Sequence, residues 1–552
     1  MTGFFLRLAD LLELHGDTSD AAALRRVARD PAAADRLDAR SRLRAEEIEQ
    51  GRGEGLLCAA ERELPRDFQR LLQTGLLAPA DLVVLHRQLG ILTTGDLALA
   101  LEGHVVAHHG VPEEVAARAR RALDATGDDV RLTLGRAFEA VEPLLGILQT
   151  LPAVSSASVA GSLRRIEPTV RDLRIVAATR EAENLFQALD AVPQFASVRF
   201  HGPAGLTVLS GSHEVSVKTA APEQYGAALL FHTGSREHVA RLQQRADAVD
   251  VRLTGSGLVS ARGVSEAPTE DAVYAQLGLA YVPAELRQGT DELEDAAQGT
   301  LPALLERRDI RGDLHMHTTF SDGRDTLEAM VAACAPLGYE YIAITDHSQS
   351  AGASRTVTAD DLARQGDEID RLQERYPAMR ILKGAEVDIL PDGRLDFPDA
   401  VLARLDVVLA SLHDRAGHGP DRLLRRYRSA AEHPLVSALT HPANRLVGRY
   451  DGYDLDFDAL FDIAVRTGTL LEVDGAPSHL DLDGSLVRRA IDAGVVLSVD
   501  SDCHHARLLD RQMQLGVGTA RRGRATASHV LNTRPLGEVL RRLRSKRARI
   551  RP

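Results

Sequence analysis

Gly312–Gly323 has the sequence GDLHMHTTFSDG, in which His315 and His317 alternate with apolar residues. Side chains two apart on a strand lie on one face, so the two imidazoles can bind one divalent ion. Asp322 follows within one short loop, just before a glycine. An isolated His-x-His pair is a weak signal, because many such pairs are exposed or lie in a core. Its meaning therefore depends on the sequence that follows.

Beyond residue 305, short apolar runs alternate with helical patterns, which predicts a parallel sheet or barrel. Seven strands are predicted: Gly312–His317, Tyr341–Thr345, Arg380–Ile389, Val407–Ser411, Ser437–Thr440, Thr469–Val473 and Val495–Val499. Helices are predicted between most of them, for example Thr326–Leu337, Asp361–Tyr376 and Leu423–Glu432.

Six of these seven strands end in histidine or carboxylate side chains. In strand order, they are His315, His317 and Asp322; Asp346 and His347; Glu386 and Asp388; His413; His441; and Asp502 and His504. Functional side chains of a β/α barrel gather at the carboxyl ends of its strands. Such residues are rarely buried unless they are paired or bound to metal, so core packing does not explain the pattern. A donor set of nitrogen and oxygen alone suits Zn or Mn, with Fe as a further option.

Composition places the chain among ordinary globular proteins. The 552 residues predict three or four domains, and the apolar and charged fractions are 44% and 26%. Three scattered cysteines indicate neither a disulfide framework nor a thiolate zinc site, which fits a reducing cytoplasm. No apolar run reaches membrane-span length, and the N-terminus does not resemble a signal peptide. A net charge of −13 argues against a generally basic nucleic-acid coat, but it leaves a local basic groove open.

The segments GDLHMHTTFSDG, YIAITDHS, KGAEVDIL, ASLHD, THPANR and VDSDCH resemble, in order, the motifs of the polymerase-and-histidinol-phosphatase (PHP) domain. The resemblance covers roughly residues 308–530. It implies a distorted seven-stranded barrel that hydrolyses phosphoesters with two to three divalent ions. By motif, one metal falls to His315, His317, Glu386 and Asp502; a second to Glu386, His413 and His441; and a third to Asp322, His347 and His504. Asp388 and Asp414 are expected to support ligands or to lie in loops.

The preceding 300 residues resemble bacterial family X DNA polymerases. GSLRR at 161–165 and YGAALLFHTGSREH at 225–238 are similar to that family's nucleotide-binding segments. The resemblance implies nucleotide contacts from Gly161, Ser162, Arg165, Gly234 and Ser235. The expected organisation is a helical, fingers-like region at 1–145, a palm and thumb at 146–300, and the PHP barrel at 301–552. Acidic Gly289–Gly299 is interpreted as a linker.

The departures from the polymerase pattern predict an inactive polymerase module. The family holds two Mg ions with three aspartates, and only Asp172 remains here. Arg174 and Ser216 stand at the other two positions, and a cation there repels a divalent metal. The hairpins that grip DNA also look eroded: QGRGEGL at 50–56 is interpreted as a flexible interhelical loop, and residues 85–110 show no convincing second hairpin.

Together these features predict a metal-dependent phosphoesterase that acts on DNA in repair, at a single strand or a 3′ end. The expected activity is 3′–5′ exonuclease, 3′-end processing or abasic-site hydrolysis, in a cytoplasmic, nucleoid-associated protein. The alternatives are a PHP phosphatase for a small phosphomonoester and, in another class, a non-catalytic scaffold for DNA ends. The basic tail Arg541–Arg551 is interpreted as a solvated helix end in preference to a DNA-binding arm.

Overall fold

The computed structural model describes residues 2–102, 111–126, 131–192, 198–202, 205–211, 213–255, 257–414 and 419–548. The chain divides into two units: Met1–Arg165 with Val170–Thr300, and Ile166–Thr169 with Leu301–Pro552. A further division at residue 145 stays a prediction. Within the described ranges, no helix is long and apolar enough to cross a membrane.

The first unit begins with helices, where a helical region is expected. They are Thr2–Leu14, Thr18–Arg29, Ala39–Glu49, Gly53–Glu63, Arg66–Gln73, Pro79–Leu89, Thr94–Glu102, Glu113–Ala125 and Leu134–Thr150. Their apolar faces share a core that includes the fully buried Leu11, Leu24 and Phe68. The glycine-rich 50–56 stretch is mostly helical, because the fourth helix already begins at Gly53. Of the region searched for a second hairpin, residues 103–110 lie outside the described residues.

A five-stranded sheet forms the centre of residues 150–225. The strands up to this point are β1 Leu132–Thr133, β2 Ser156–Val159, β3 Thr169–Val170, β4 Leu173–Ala178, β5 Val198–Gly202, β6 Gly205–Ser210 and β7 His213–Ala220. The sheet order is β2-β4-β7-β6-β5. β4 and β7 run parallel, with Arg174 paired to Ser216 in register. The two substituted polymerase positions are therefore direct neighbours.

The rest of the first unit carries a small antiparallel sheet, β8 Val251–Thr254, β9 Gly257–Ser260 and β10 Gly263–Ser265. Its helices are Gly161–Arg164, Ala182–Asp190, Tyr225–Thr233, Arg236–Asp247, Glu270–Gln276 and Glu292–Gln298. The interpretation of Gly289–Gly299 as a linker is wrong. Glu292 is buried 2.7 Å from Nδ1 of His238, and Leu293 is also buried, so one carboxylate pairs with a histidine while apolar groups pack.

The second unit is a seven-stranded parallel barrel with strands in chain order. They are β11 Gly312–Asp313, β12 Tyr341–Ile344, β13 Arg380–Asp388, β14 Val407–Ser411, β15 Ala438–Leu439, β16 Leu470–Asp474 and β17 Leu497–Asp500. A parallel bridge between Met316 and Cys503 links the first strand to the last. The helices are Leu327–Cys334, Ala359–Arg375, Asp399–Leu402, Pro420–Glu432, Phe457–Thr467, Gly484–Asp492, Leu509–Arg522 and Leu536–Ala548. The predicted β/α alternation is thus present.

The first strand is shorter than predicted, because the backbone leaves regular pairing after Asp313. Leu314 N donates to the side chain of Asp500 at 2.8 Å, and His317 N donates to Cys503 O at 2.9 Å. The prediction that His315 and His317 share a face nevertheless holds, since their Nε2 atoms lie 3.0 Å apart.

One face of the C-terminal helix packs against the amino-terminal end of the barrel, so the tail is only in part the solvated helix end predicted from its charge. Val539 and Leu543 are buried in one apolar cluster with strand residues such as Leu409. Lys546 Nζ donates to Val436 O at 2.6 Å, and Arg547 donates to Leu405 O at 2.7 Å. These side chains therefore satisfy carbonyls that precede strands. Residues 549–552 of the tail lie outside the described residues.

Candidate metal centre

Nine predicted ligands converge at the carboxyl ends of the barrel strands. Several stand two residues beyond the last residue of a strand: His315 after β11, His413 after β14, His441 after β15 and Asp502 after β17. This common offset brings their side chains to the same end of the barrel. The close pairs described below join all nine: His315, His317, Asp322, His347, Glu386, His413, His441, Asp502 and His504.

Glu386 stands at the centre of this group, and its two oxygens face different histidines. Oε1 lies 2.9 Å from His441 Nε2 and 3.3 Å from His413 Nε2. Oε2 lies 2.8 Å from His347 Nδ1 and 3.4 Å from His315 Nε2. The side chain is fully buried. A carboxylate in this position can bind two cations at once.

His315, His317 and Asp502 form a compact set beside Oε2 of Glu386. Asp502 Oδ1 is 3.5 Å from His315 Nε2 and 3.1 Å from His317 Nε2. The two Nε2 atoms thus face each other and the same carboxylate oxygen, which is the arrangement expected of ligands to one ion.

Asp322, His347 and His504 form a second set, nearer to solvent. Asp322 Oδ1 lies 3.5 Å from His347 Nε2 and 3.3 Å from His504 Nε2. The His317 ring is stacked against both histidines, at centroid distances of 4.3 and 4.2 Å. His504 is 35% exposed and His413 is 25% exposed, whereas His315 and His317 are fully buried. The cluster is therefore most open at His504 and His413.

The histidines and carboxylates of the cluster shift each other's pKa values. Burial opposes ionisation of Glu386, yet His347 and His413 hold its pKa well below its usual value. Burial likewise opposes protonation of His504, but Asp322 and Asp502 raise its pKa to about 9. His317 behaves differently: burial and repulsion by His504 and His347 lower its pKa to about 3. The electrostatic environment therefore favours an ionised Glu386, a protonated His504 and a neutral His317.

The backbone supports the cluster in a conformation that costs energy. His441 and Asp502 have φ angles of 30° and 47°, a region that non-glycine residues rarely adopt. Such angles persist only where the surroundings enforce them, and they concentrate at functional sites.

Two buried atoms of the cluster that could bind a metal have no hydrogen-bond partner among the described residues. Glu386 Oε2 and His347 Nδ1 are 2.8 Å apart but lack hydrogen-bond geometry, and each is buried without a hydrogen-bond partner among the described residues. Buried polar atoms are normally satisfied. Two adjacent donors that do not bond each other suit a shared cation.

Some site residues were not predicted from the sequence. β16 had no assigned functional side chain, yet its Glu472 is fully buried against His315 Nδ1 at 2.6 Å. Thr440 contacts the same nitrogen at 3.0 Å. Asp388, which was expected to support a ligand or lie in a loop, contacts His413 Nδ1 at 3.1 Å. Asp414 instead pairs with Arg426 at 3.0 Å, and Asp346 binds the backbone and hydroxyl of Thr318.

Comparison with known proteins identifies the families to which parts of this chain are similar. The PHP domain family matches residues 313–473, and the DNA polymerase beta thumb family matches residues 228–288. The chain is 34% identical, over 501 residues, to the DNA polymerase/3′-5′ exonuclease PolX of Bacillus subtilis (strain 168). That alignment covers 90% of this chain and 87% of the relative. The chain belongs to the PolX family.

Two solved structures are similar to parts of this PolX protein at low identity and with low TM-scores. A histidinol phosphate phosphatase from Lactococcus lactis, complexed with Zn, L-histidinol and phosphate, covers 38% of this chain and 93% of its own, with 17% identity and a TM-score of 0.29. Leishmania infantum polymerase beta, a ternary complex, covers 40% of this chain and 97% of its own, with 16% identity and a TM-score of 0.27.

The residues predicted to bind nucleotide in this PolX chain lie together. A cleft of about 470 Å³ in the first unit is lined by Gly161, Ser162, Arg165, Gly234 and Ser235, together with Asp172 and Arg174. Ser235 also starts the helix Arg236–Asp247, where its Oγ accepts a hydrogen bond from His238 N at 3.2 Å. The cleft therefore retains the predicted lining.

Basic side chains of the protein neutralise the carboxylates beside this cleft. Arg174 Nη2 lies 2.8 Å from Asp96 Oδ1, and Lys218 Nζ lies 2.7 Å from Asp96 Oδ2. All three side chains are at least 94% buried. Asp96 belongs to the helix Thr94–Glu102 and was not predicted to take part. Burial opposes its ionisation, but Arg174 and Lys218 hold the pKa of Asp96 far below its usual value.

The two remaining positions of the pattern are also engaged. Asp172 Oδ2 is 3.6 Å from Arg174, and burial raises the pKa of Asp172 to about 6 despite that neighbour. Ser216 Oγ donates to Leu173 O at 3.2 Å. Gly95 packs so close to Asp172 that a Cβ there would collide with its carboxylate. Asp172 thus has a cation on one side and backbone on another.

Proposed function

We propose that this PolX protein is a metal-dependent phosphoesterase whose barrel cluster binds two to three divalent ions, Mn or Zn, with Fe as a further option. The nine side chains would hold them in the sets already described, with Glu386 shared. The observation that carries the proposal is the division of Glu386, with Oε1 toward His413 and His441 and Oε2 toward His315, His317 and His347.

The chemistry of the site follows from its side chains. When bound, divalent ions supply Lewis acidity toward phosphate oxygens and make water more acidic. Glu386 and Asp502 provide the buried negative charge that such ions need, and neutral histidines complete the donor set. A phosphoester would enter beside His413 and His504, the most exposed of the histidines.

We infer that the substrate is DNA, degraded from a 3′ end or processed at that end during repair. Support comes from the similarity to a protein named as a DNA polymerase/3′-5′ exonuclease over 90% of this chain. The protein would act on DNA in the cytoplasm, at the nucleoid. Hydrolysis of a small phosphomonoester, or DNA-end binding without chemistry, are the alternatives.

We further propose that the polymerase-like cleft does not catalyse nucleotide addition. Addition by two metals needs several carboxylates around them. Here Asp96 forms ion pairs with Arg174 and Lys218. Ser216 offers only a hydroxyl, which donates a hydrogen bond to the carbonyl of Leu173. Gly161, Ser162, Arg165, Gly234 and Ser235 would still allow nucleotide to bind in the cleft.

A comparison of substrates tests the proposal. The full chain, supplied with Mn²⁺, would be assayed on 5′-labelled single-stranded DNA, a recessed duplex and an aryl phosphate. We expect the labelled strand to shorten progressively from its 3′ end. Glu386→Gln should slow this shortening by about 10²- to 10³-fold. Glu374→Gln makes the same chemical change on an exposed helix residue and should leave activity intact.

The alternatives give different results in the same assay. If the aryl phosphate is hydrolysed while the DNA stays intact, the result would favour a small phosphomonoester as the substrate. DNA binding by a metal-loaded chain that hydrolyses nothing would favour the scaffold. Primer extension that survives Glu386→Gln would overturn the inactive cleft.

A further inference from the structure

Glu472 contacts two predicted ligands of the candidate metal centre, His315 and His441. Oε1 lies 2.6 Å from His315 Nδ1, while Oε2 accepts a hydrogen bond from the backbone N of His441 at 2.8 Å and another from the hydroxyl of Thr440. The carboxylate is fully buried. It comes from the centre of β16, the strand without a predicted ligand.

The contact to His315 fixes which ring nitrogen is free. A carboxylate at Nδ1 favours the tautomer with the proton on Nδ1, so the lone pair stays on Nε2. His315 Nε2 is the atom that faces His317, Asp502 and Glu386. Thr440 Oγ1, 3.0 Å from the same Nδ1, limits rotation of the ring.

The contact to His441 acts on its backbone. His441 has a φ of 30°, and the hydrogen bond from its N to Glu472 holds the chain in that conformation. Its ring then reaches Oε1 of Glu386, on the opposite oxygen from His315. One carboxylate thus orients two histidines that face different oxygens of Glu386.

We propose that Glu472, assisted by Thr440, is a positioning residue that orients His315 and His441 for metal. This inference rests on the proposed metal centre and adds a residue to it. Partners behind metal-binding histidines typically change metal affinity by about 10- to 100-fold when they are removed.

Glu472→Gln is a sharp test because it preserves size. Whichever way the amide is turned, its NH₂ group faces either His315 Nδ1 or the donors of Thr440 and His441. In the first case, Nδ1 of His315 can accept a hydrogen bond from the amide only if the ring proton moves to Nε2. Nε2 then has no lone pair available for a metal. In the second case two donors lose their acceptor. We expect metal affinity to fall by about 10- to 100-fold.

The measurement is a Co²⁺ titration of the metal-stripped full chain, followed by visible absorption and by competition with a chelator. The unmodified chain should bind two to three ions. Glu472→Gln should bind more weakly and show an altered absorption spectrum. Thr469→Val is a control, since Thr469 is a buried residue that bonds Ala431 O, remote from the cluster ligands. It should keep the unmodified spectrum.

Thr440 supplies the test should Glu472→Gln fail to fold. Thr440→Val removes the hydroxyl at constant size and should weaken Co²⁺ binding, while Thr440→Ser should restore it. Unchanged affinity and spectrum in Glu472→Gln, or in Thr440→Val, would overturn the positioning role. No Co²⁺ uptake by the unmodified chain would instead overturn the metal centre itself, and this inference with it.

Discussion

The protein contains two buried groups of carboxylates, and they are neutralised in different ways. In the barrel, Glu386 and Asp502 are surrounded by histidines, which can lose their protons when a metal arrives. In the polymerase-like cleft, Asp96 is paired with Arg174 and Lys218. An arginine does not lose its proton in this pH range. We therefore expect the kind of counter-charge, more than the number of carboxylates, to decide whether a metal can enter.

The largest effect should come from the shared carboxylate of the barrel. Glu386→Gln removes the charge that faces both histidine sets. Charge stabilisation by metals amounts to several kcal/mol, so we expect phosphoesterase activity to fall by about 10²- to 10³-fold. Elemental analysis should show fewer bound ions than in the unmodified chain. Full activity and full metal content in this variant would contradict the shared role.

Sequence patterns predicted this half of the comparison well. Apolar β12, Tyr341–Ile344, lies directly before Asp346 and His347, and the same order recurs along the barrel. Such local order survives folding because parallel strands place their ends together. Glu472 was missed for a related reason: it lies inside β16, and its orientation depends on contacts with His315, which is 157 residues away in sequence.

The cleft was predicted only from its losses. Arg174 and Ser216 were visible as substitutions, but their compensation was not. Asp96 comes from a helix 78 residues before Arg174, and no local pattern indicates that the two meet. The linker interpretation of Gly289–Gly299 failed similarly, because acidic composition does not reveal that Glu292 finds His238. Long-range pairing decides these features.

Reversing the charge at Arg174 should damage the cleft without restoring synthesis. In the unmodified chain, Arg174 faces Asp96 and Asp172 and neutralises them. Arg174→Asp removes this positive charge and places a third carboxylate beside them. Loss of one partner of a buried ion pair costs about 3–5 kcal/mol, and we expect a comparable drop in the free energy of unfolding of the first unit. Denaturant unfolding measures it. Arg180→Asp, the same change at a side chain that is 66% exposed, should cost far less.

The same region predicts the outcome of a larger reversal. Arg174→Asp with Ser216→Asp would supply, together with Asp172, the three aspartates of the polymerase pattern. The structure adds Lys218, whose ammonium lies 2.7 Å from Asp96 and is not changed by the double substitution. We therefore expect no primer extension with Mg²⁺ or Mn²⁺, in the unmodified chain or in the double variant. Extension by the double variant would show that Lys218 does not block a metal.

The two regions should also differ in their response to pH. Despite burial, neighbouring carboxylates raise the pKa of His315, His413, His441 and His504 in the metal-free barrel, to about 9 for His504. Metal must displace those protons, so uptake should increase by roughly tenfold per pH unit for each proton displaced. Chelator competition between pH 6 and 9 measures this increase. A flat affinity would argue against protonated histidines.

Stability of the metal-free barrel should change in the opposite direction. A raised pKa in the folded state stabilises it fully below the unfolded value of about 6.5, and this contribution is lost as pH rises through the folded value, about 9 for His504. The Asp96–Arg174 pair keeps its charges over this range, since the pKa of Asp96 is far below its usual value. Melting of metal-stripped protein at pH 6 and pH 9 should show the contrast.

The smallest effect on activity is expected from a buried cation that has no carboxylate partner among the contacts described. Lys546 Nζ donates to Val436 O under the barrel, and burial lowers the pKa of Lys546 to about 7. The folded protein therefore binds fewer protons than the unfolded chain between pH 7 and about 10.5, so stability should rise with pH over that window. Lys546→Met keeps an apolar stem of similar length and should remove this rise, at a cost of about 1 kcal/mol for the lost hydrogen bond.

Arg544→Met, at an exposed position of the same helix, should follow the unmodified chain. Because the comparison is between variants at each pH, the histidine contributions cancel. If Lys546→Met instead lowered DNA affinity and flattened its salt dependence, the lysine would contact phosphate, and its place beneath the barrel would be wrong.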